Sequence, residues 1–184
     1  MQIVYLGSYC FKIRAKKQNI IAGPLGEKTP RIKAEIVVSP GKGSQNYLKR
    51  IKGDPFFIYG PGEYEISGVS VFGSPEAFII EVAGIKFCYL NQSEVGLTEK
   101  QIEELDNIDV LTMLIGEKGL GIEKGAQIAA QVQPKILIPV DKTAIKKFFK
   151  ELGYEKFAEE EKITISKNNL PEDMKVIVLK SKNG

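Results

Sequence analysis

Short apolar or alternating runs, each closed by Gly, Pro or a Ser/Asp-type breaker, dominate the first half of the chain. Runs of this length and close spacing are typical of β-strands in antiparallel meanders. A short helix is predicted at residues 46–51, after the Ser39-Pro40-Gly41 break. The predicted strands cover residues 2–6, 9–14, 19–22, 35–38, 56–59, 64–66, 69–72, 78–82 and 85–90.

After Leu90 the pattern changes to an alternation of amphipathic helices and apolar strands. Thr98 is predicted to cap a helix over residues 99–105, with Gln101 completing a capping box. Further helices are predicted at residues 122–132 and 143–152, and strands at residues 108–115, 135–140, 162–166 and 174–179. This order favours an α/β protein with two sheets packed face to face and helices outside.

The length of 184 residues suits one domain, with a strand-rich half at about 1–92 and a strand–helix half at about 93–180. A hydrophobic content of 43% and a charged content of 27% are ordinary for a soluble globular protein. No apolar run approaches the roughly 20 residues that span a bilayer, so we expect no membrane association. The N-terminus enters a strand pattern directly, so we expect no signal peptide and a cytoplasmic location.

The chain contains no histidine and two cysteines, Cys10 and Cys88, both within apolar runs. We expect these cysteines to be buried, reduced thiols. Without histidine, a serine hydrolase lacks its usual base, and a structural zinc site of the usual Cys/His spacing is excluded. A magnesium or calcium site built on carboxylates is not excluded, but the sequence has no Asp-rich loop to support it.

Other candidate motifs fail on spacing or have simpler explanations. The Gly23-to-Thr29 loop lacks the adjacent Gly and Lys of a phosphate loop, and Pro30 follows it. A Ser–Lys dyad of Ser39 or Ser44 with Lys42 stays formally open, although such residues are typical of solvated turns. The net charge of +3 does not demand nucleic acid, and we do not expect it as a partner. The candidate basic stretches are Lys49-Arg50-Ile51-Lys52 and the helix face of Lys142, Lys146, Lys147 and Lys150.

The opening strand followed by Leu6-Gly7-Ser8-Tyr9-Cys10-Phe11 is similar to the start of a known enzyme family. That family is the lactonase-like branch of the metallo-β-lactamase-fold hydrolases, which begins with a strand and then Leu-Gly-His-Ser-Cys-Phe. The resemblance continues in order to about Leu179. Its further segments are residues 37–45, 60–65 with 68–69, 89–93, 97–105, 108–111 and 133–141. It implies a four-layer αβ/βα sandwich with two mixed sheets.

The resemblance also shows what this chain lacks. Where the family's metal-binding loop has His, His, Asp and His, this chain has Pro40, Lys42, Ser44 and Gln45. The family's early histidine is Ser8, its bridging aspartate is Gln92, and its late histidine is Asp141. Only Asp141 is a plausible metal ligand, and a lysine close to a metal repels it by several kcal/mol in partly buried surroundings. Lys42 either pairs with Asp141 in place of the metal or is solvated on a turn; the sequence leaves both open.

We therefore expect no metal, no cofactor and no catalytic residue in this chain. The favoured hypothesis is a pseudoenzyme with a binding, scaffolding or regulatory role. Its expected partner is a small polar or anionic ligand or a protein. The alternative is a hydrolase with a metal site that lacks histidine, or with metal-free chemistry. A homo-oligomer is compatible with either. The predicted ligand-binding residues of the vestigial cleft are Ser8, Pro40, Lys42, Ser44, Gln45, Gln92 and Asp141.

Overall fold

The computed structural model describes residues 1–27, 29–40, 42–91, 97–141, 143–155, 157 and 159–182, and for residues 42–45 it describes the backbone only. The strands are β1 (Gln2–Gly7), β2 (Cys10–Ala15), β3 (Gln18–Ala22), β4 (Ile32–Lys33), β5 (Ile36–Val38), β6 (Ile51–Lys52), β7 (Phe56–Ile58), β8 (Gly62–Ile66), β9 (Val69–Gly73), β10 (Ala77–Val82), β11 (Ile85–Leu90), β12 (Val110–Leu114), β13 (Ile136–Val140), β14 (Glu159–Glu160), β15 (Ile163–Thr164), β16 (Lys175–Val176) and β17 (Val178–Leu179).

The α-helices are α1 (Glu99–Glu103), α2 (Ile122–Val132) and α3 (Ile145–Glu151), and two 3-10 helices cover Lys42–Arg50 and Lys167–Asn169. The predicted capping box at α1 is confirmed, because the Thr98 hydroxyl accepts from the Gln101 amide and the Gln101 side chain accepts from the Thr98 amide. A short helix is present where residues 46–51 predict one, but it is a 3-10 helix that begins earlier, at Lys42, and ends at Arg50.

Two mixed sheets form the body of the protein, as the sequence predicts. One has the strand order β15-β1-β2-β3-β5-β7, and the other has the order β16-β13-β12-β11-β10-β9-β8. Two small ribbons, β14–β17 and β4–β6, complete the pairing. Strands β11, β12, β13 and β16 run parallel to one another, so the carboxyl ends of β11, β12 and β13 meet at one edge of the second sheet.

The strand patterns match their burial. In β9, Val69 and Val71 face the core while Ser70 and Phe72 are exposed, as expected for a strand with one solvated face. All five residues of β13 are buried, because helices cover one face of the parallel strands and the first sheet covers the other. The β8–β9 hairpin turns on Ser67 and Gly68, whose φ angles of 51° and 78° give the left-handed pair of a two-residue turn.

Three apolar clusters lie between the layers and pack them together. The largest lies between the sheets and includes Phe11, Ile20, Phe78 and Phe87, all at 1% exposure or less. A second cluster packs α2 and α3 on the second sheet. A third covers the outer face of the first sheet with the loop and 3-10 helix around residues 25–51 rather than with an α-helix. Within the described part of the chain, no helix has the length and apolar character needed to cross a membrane.

Candidate functional site

An open cleft of about 1070 Å³ lies where the parallel strands end. Leu114 at the end of β12 and Val140 and Asp141 at the end of β13 form one wall. Ser8, from the turn between β1 and β2 of the first sheet, lines the cleft as well. Two of the predicted site residues, Ser8 and Asp141, are thus brought to one cleft from opposite sheets. Ligands of α/β proteins bind at this end of parallel strands, which makes the cleft the candidate functional site.

The turn that carries Ser8 has an unusual backbone. Gly7, Ser8 and Tyr9 have consecutive positive φ angles of 93°, 53° and 59°. A positive φ is uncommon for any residue other than glycine, and for a bulky one it must be held by surrounding contacts. The turn leaves Ser8 exposed at the rim of the cleft and sends Tyr9 into the core, where its exposure is 1%.

Tyr9 forms the floor of the cleft and joins the two sheets. Its phenolic oxygen lies 2.8 Å from the carbonyl oxygen of Leu90 and 2.9 Å from that of Thr112, so its single proton is shared between the last residue of β11 and the middle residue of β12. Tyr89 packs against it with ring centroids 4.5 Å apart. Burial raises the pKa of both phenols well above the ordinary value, so both stay neutral donors.

Sequence reasoning missed Tyr9. The signal was present, because the related enzymes have a small serine at this position of the Leu-Gly-x-x-Cys-Phe motif and this chain has a large aromatic residue. Tyr5 adds a second phenol to the cleft, and its oxygen accepts the amide N–H of Tyr9 at 3.4 Å. Burial raises the pKa of Tyr5, and the negative charge of Asp141 adds to the effect.

The Asp141 carboxylate is hydrogen-bonded to residues that follow it closely in the chain. Its Oδ1 atom accepts the amide N–H of Thr143, the hydroxyl of Thr143 and the amide N–H of Ala144. These bonds satisfy donors of the loop that leads into α3, as the side chain of an Asx turn does. Gly116 stands on the other side of the carboxylate, where a Cβ atom would lie 3.3 Å from Oδ2. Asp141 is therefore an acceptor fixed by the loop before α3, at the edge of the cleft.

The remaining predicted site residues contribute less to the geometry. Pro40 follows β5, is half-buried, and is not among the described residues that line the cleft. The side chains of Lys42, Ser44 and Gln45, and the whole of Gln92, lie outside the described residues. The hypothesis of a Lys42–Asp141 pair therefore stays a prediction.

The charges of the cleft come mainly from residues that the sequence did not single out as cleft residues. Lys118, Lys146 and Lys180 line it, and so do Glu117 and Glu159 beside Asp141. Hydroxyls are supplied by Ser8, Thr143 and Ser181. The residues of the 117–118 turn, α3 and the C-terminal segment are far apart in the chain, so no local sequence pattern links them. Because three lysines and three carboxylates are among its lining residues, the cleft carries a near balance of acidic and basic groups.

A family model described as the β-lactamase superfamily domain matches residues 2–141. The chain belongs to the metallo-β-lactamase superfamily. No curated protein matches the sequence. Among solved structures, a candidate Zn-dependent hydrolase of this superfamily from Thermotoga maritima superposes with a TM-score of 0.82 at 23% identity, over 97% of this chain and 98% of that one.

Two more distant structures show the same fold. A candidate metal-dependent hydrolase from Parabacteroides distasonis has a TM-score of 0.63 at 14% identity and covers 95% of this chain and 91% of its own. The metallo-β-lactamase fold protein YhfI from Bacillus subtilis has a TM-score of 0.59 at 10% identity, over 98% and 96% of the two chains. At these identities the similarity establishes the α/β sandwich alone.

The donor groups of this chain do not fit the metal centre that the superfamily implies. The sequence has no histidine, and Ser8 and Pro40 occupy two of the ligand positions of the resembling enzymes. Across the described residues, no three Asp, Glu, Cys or His side chains converge as a metal ion would require. Both cysteines are buried, as predicted, and burial raises the pKa of Cys10 to about 12, which disfavours the thiolate that binds metal.

Proposed function

We propose that this protein is a non-hydrolytic member of the metallo-β-lactamase superfamily that binds a small polar or anionic ligand in the cleft. Hydrolysis in this fold depends on metal-activated water and on a Lewis acid, both of which need a set of imidazole and carboxylate ligands. The observation that carries the proposal is the hydrogen bonding of the Asp141 carboxylate. The most plausible ligand of the metal set that the resemblance implies already accepts three hydrogen bonds from Thr143 and Ala144, in the loop before α3.

The cleft nevertheless has the properties of a binding site. Its volume of about 1070 Å³ is that of a small-molecule pocket. Hydroxyls and ammonium groups converge on it from both sheets, and Lys118 and Lys180 approach from separate segments. These groups donate hydrogen bonds to carboxylate, phosphate or sugar oxygens, so a polar or anionic compound is the class of ligand that supports the proposal best.

The compartment that we propose is the cytoplasm. The two cysteines are free and buried, as is usual for proteins of a reducing compartment. The ligand would then be a small metabolite of that compartment.

A thermal-shift screen with small carboxylates and phosphate esters tests the proposal. We expect at least one compound to raise the unfolding temperature of the wild type and to lose most of this effect in the Lys118→Ala/Lys180→Ala variant. The matched control is Lys100→Ala/Lys147→Ala, which removes the same charge from exposed positions on α1 and α3. Shifts that persist in the cleft variant, or that disappear equally in the control, would count against the cleft as the binding site.

A further inference from the structure

A second cavity, separate from the cleft, is lined by basic side chains. It has a volume of about 640 Å³ and lies on the outer side of the first sheet, between the loop near Glu27 and the end of the first 3-10 helix. We call it the basic cavity; its lining residues are Glu27, Arg31, Asn46, Tyr47, Lys49 and Arg50. Three of the six are cationic and one is acidic, whereas the cleft is nearly balanced. None of the six lines the cleft.

The pairing of two short strands brings two of these cations, Arg31 and Arg50, to the same cavity. Strands β4 and β6 pair in parallel, with Ile32 opposite Ile51 and Lys33 opposite Lys52. Arg31 and Arg50 immediately precede the first of these pairs, and both line the basic cavity. Like charges within one cavity repel each other, and a bound anion would relieve that cost.

Neighbouring acids do little to neutralise the basic cavity. Lys33 forms an ion pair with Glu35 at 3.2 Å, on the ribbon next to it. Between described residues, the ion pairs within 4.0 Å involve none of Arg31, Lys49 and Arg50. Glu27 also lines the cavity, but among the described residues it forms no ion pair within 4.0 Å with any of the three cations.

One of the cations is oriented by the backbone. A guanidinium nitrogen of Arg50 donates to the carbonyl of Thr29 at 2.9 Å. Thr29 is itself buried and tied to Gly26 by two hydrogen bonds, from the Gly26 amide to the Thr29 hydroxyl and from the Thr29 amide to the Gly26 carbonyl. A guanidinium held in this way loses less conformational entropy when its remaining N–H groups bind an oxyanion.

We propose that the basic cavity binds a phosphate-bearing ligand through Arg31, Lys49 and Arg50. Arginine favours phosphate because its planar N–H groups match the oxyanion, and a cluster of cations with one acid selects for multiple negative charge. The proposed ligands are side chains, so the site does not require the backbone N–H groups of the Gly23-to-Thr29 loop, whose spacing fails as a phosphate loop. The phosphate belongs either to a small phosphorylated metabolite or to a nucleic-acid strand. The proposal is independent of the function proposed for the cleft.

Titration of the full chain with pyrophosphate by calorimetry, and with a fluorescent single-stranded oligonucleotide of about ten nucleotides by anisotropy, tests this site. The test variant is Arg31→Ala/Lys49→Ala, which keeps the bond between Arg50 and Thr29. The charge control is Lys100→Ala/Lys162→Ala, which removes the same charge from exposed positions outside both cavities. The cleft variant Lys118→Ala/Lys180→Ala is titrated beside it, because a probe that binds in the cleft would lose affinity in that variant. Thermal unfolding of each variant verifies that the fold is retained.

We expect the Arg31→Ala/Lys49→Ala variant to bind at least one probe about tenfold more weakly than the wild type, and the charge control to change affinity by less than about twofold. Specific loss of pyrophosphate binding assigns the site to a small ligand. Specific loss of oligonucleotide binding, with the dependence of log affinity on log salt reduced by about 1 to 2, assigns it to a strand. Absence of binding to both probes by the wild type, equal losses in the charge control, or a loss confined to the cleft variant overturns the proposal.

Discussion

The floor of the cleft and its rim are built from adjacent residues of one turn, yet they differ in burial and in bonding. Tyr9, on the floor, is buried and bonded to two strands of the opposite sheet. Ser8, on the rim, is exposed, and the resemblance places it where the related enzymes have a histidine. The comparison teaches that the contacts which join the two sheets here are made by a buried phenol and do not require a side chain at the rim.

The largest expected difference is in the reactivity of a thiol at the rim compared with that of the buried native cysteines. In the wild type, burial raises the pKa of Cys10 to about 12 and also raises that of Cys88. Relative to a free thiol with a pKa near 8.5, the thiolate population of Cys10 is lower by about a thousandfold at neutral pH. In a Ser8→Cys variant, we expect the introduced thiol to react with iodoacetamide about a thousandfold faster than Cys10, as followed by mass spectrometry.

Urea-unfolded wild type is the control for that experiment, since both native thiols should then react quickly. Native thiols that react as fast as the introduced one would mean that the buried layers on either side of the sheets open readily, and the distinction between the buried strands and the rim would fail.

The next largest effect is on stability. Tyr9→Phe leaves the carbonyl groups of Leu90 and Thr112 without the phenol, and we expect it to lower the free energy of unfolding by about 1–3 kcal/mol. Tyr9→Ala also removes a buried ring, and we expect a loss of about 3–5 kcal/mol. The measurement is equilibrium unfolding in urea. Tyr5→Phe is the matched control, because its phenol is half-buried and accepts one long bond of 3.4 Å. Equal losses for Tyr5→Phe and Tyr9→Phe would show that Tyr9 does not join the sheets.

Most of the fold could be predicted from the sequence because its determinants are local. The apolar run of β13, the alternation in β9 and the Thr98 capping box each depend on residues within a few positions of one another. Prediction was less good for the 3-10 helix Lys42–Arg50. Its sequence has little apolar periodicity, and it is held on the first sheet by Tyr47 and Leu48, which pack in the third cluster.

The site was predictable only in part, and distance along the chain explains why. Ser8 and Asp141 were found through the order of the family segments. The partners of Tyr9 lie 81 and 103 residues away, so no sequence window contains them. Lys118 and Lys180 meet at the cleft only because the second sheet and the C-terminal segment bring them together. The pairing of β4 with β6 likewise brings Arg31 and Arg50 from separate segments of the chain to one cavity, so neither segment alone predicts that site.

The central claim is that this cleft no longer holds a catalytic metal centre. The most direct test is the metal content of the full chain, purified without chelators from cells supplied with zinc and manganese, measured by inductively coupled plasma mass spectrometry after gel filtration. We predict far less than one transition-metal ion per chain, because the positions that the resemblance assigns to metal ligands include Ser8, Pro40 and an Asp141 that is already hydrogen-bonded to the loop before α3. One or two ions retained per chain, and lost in an Asp141→Ala variant, would contradict the account.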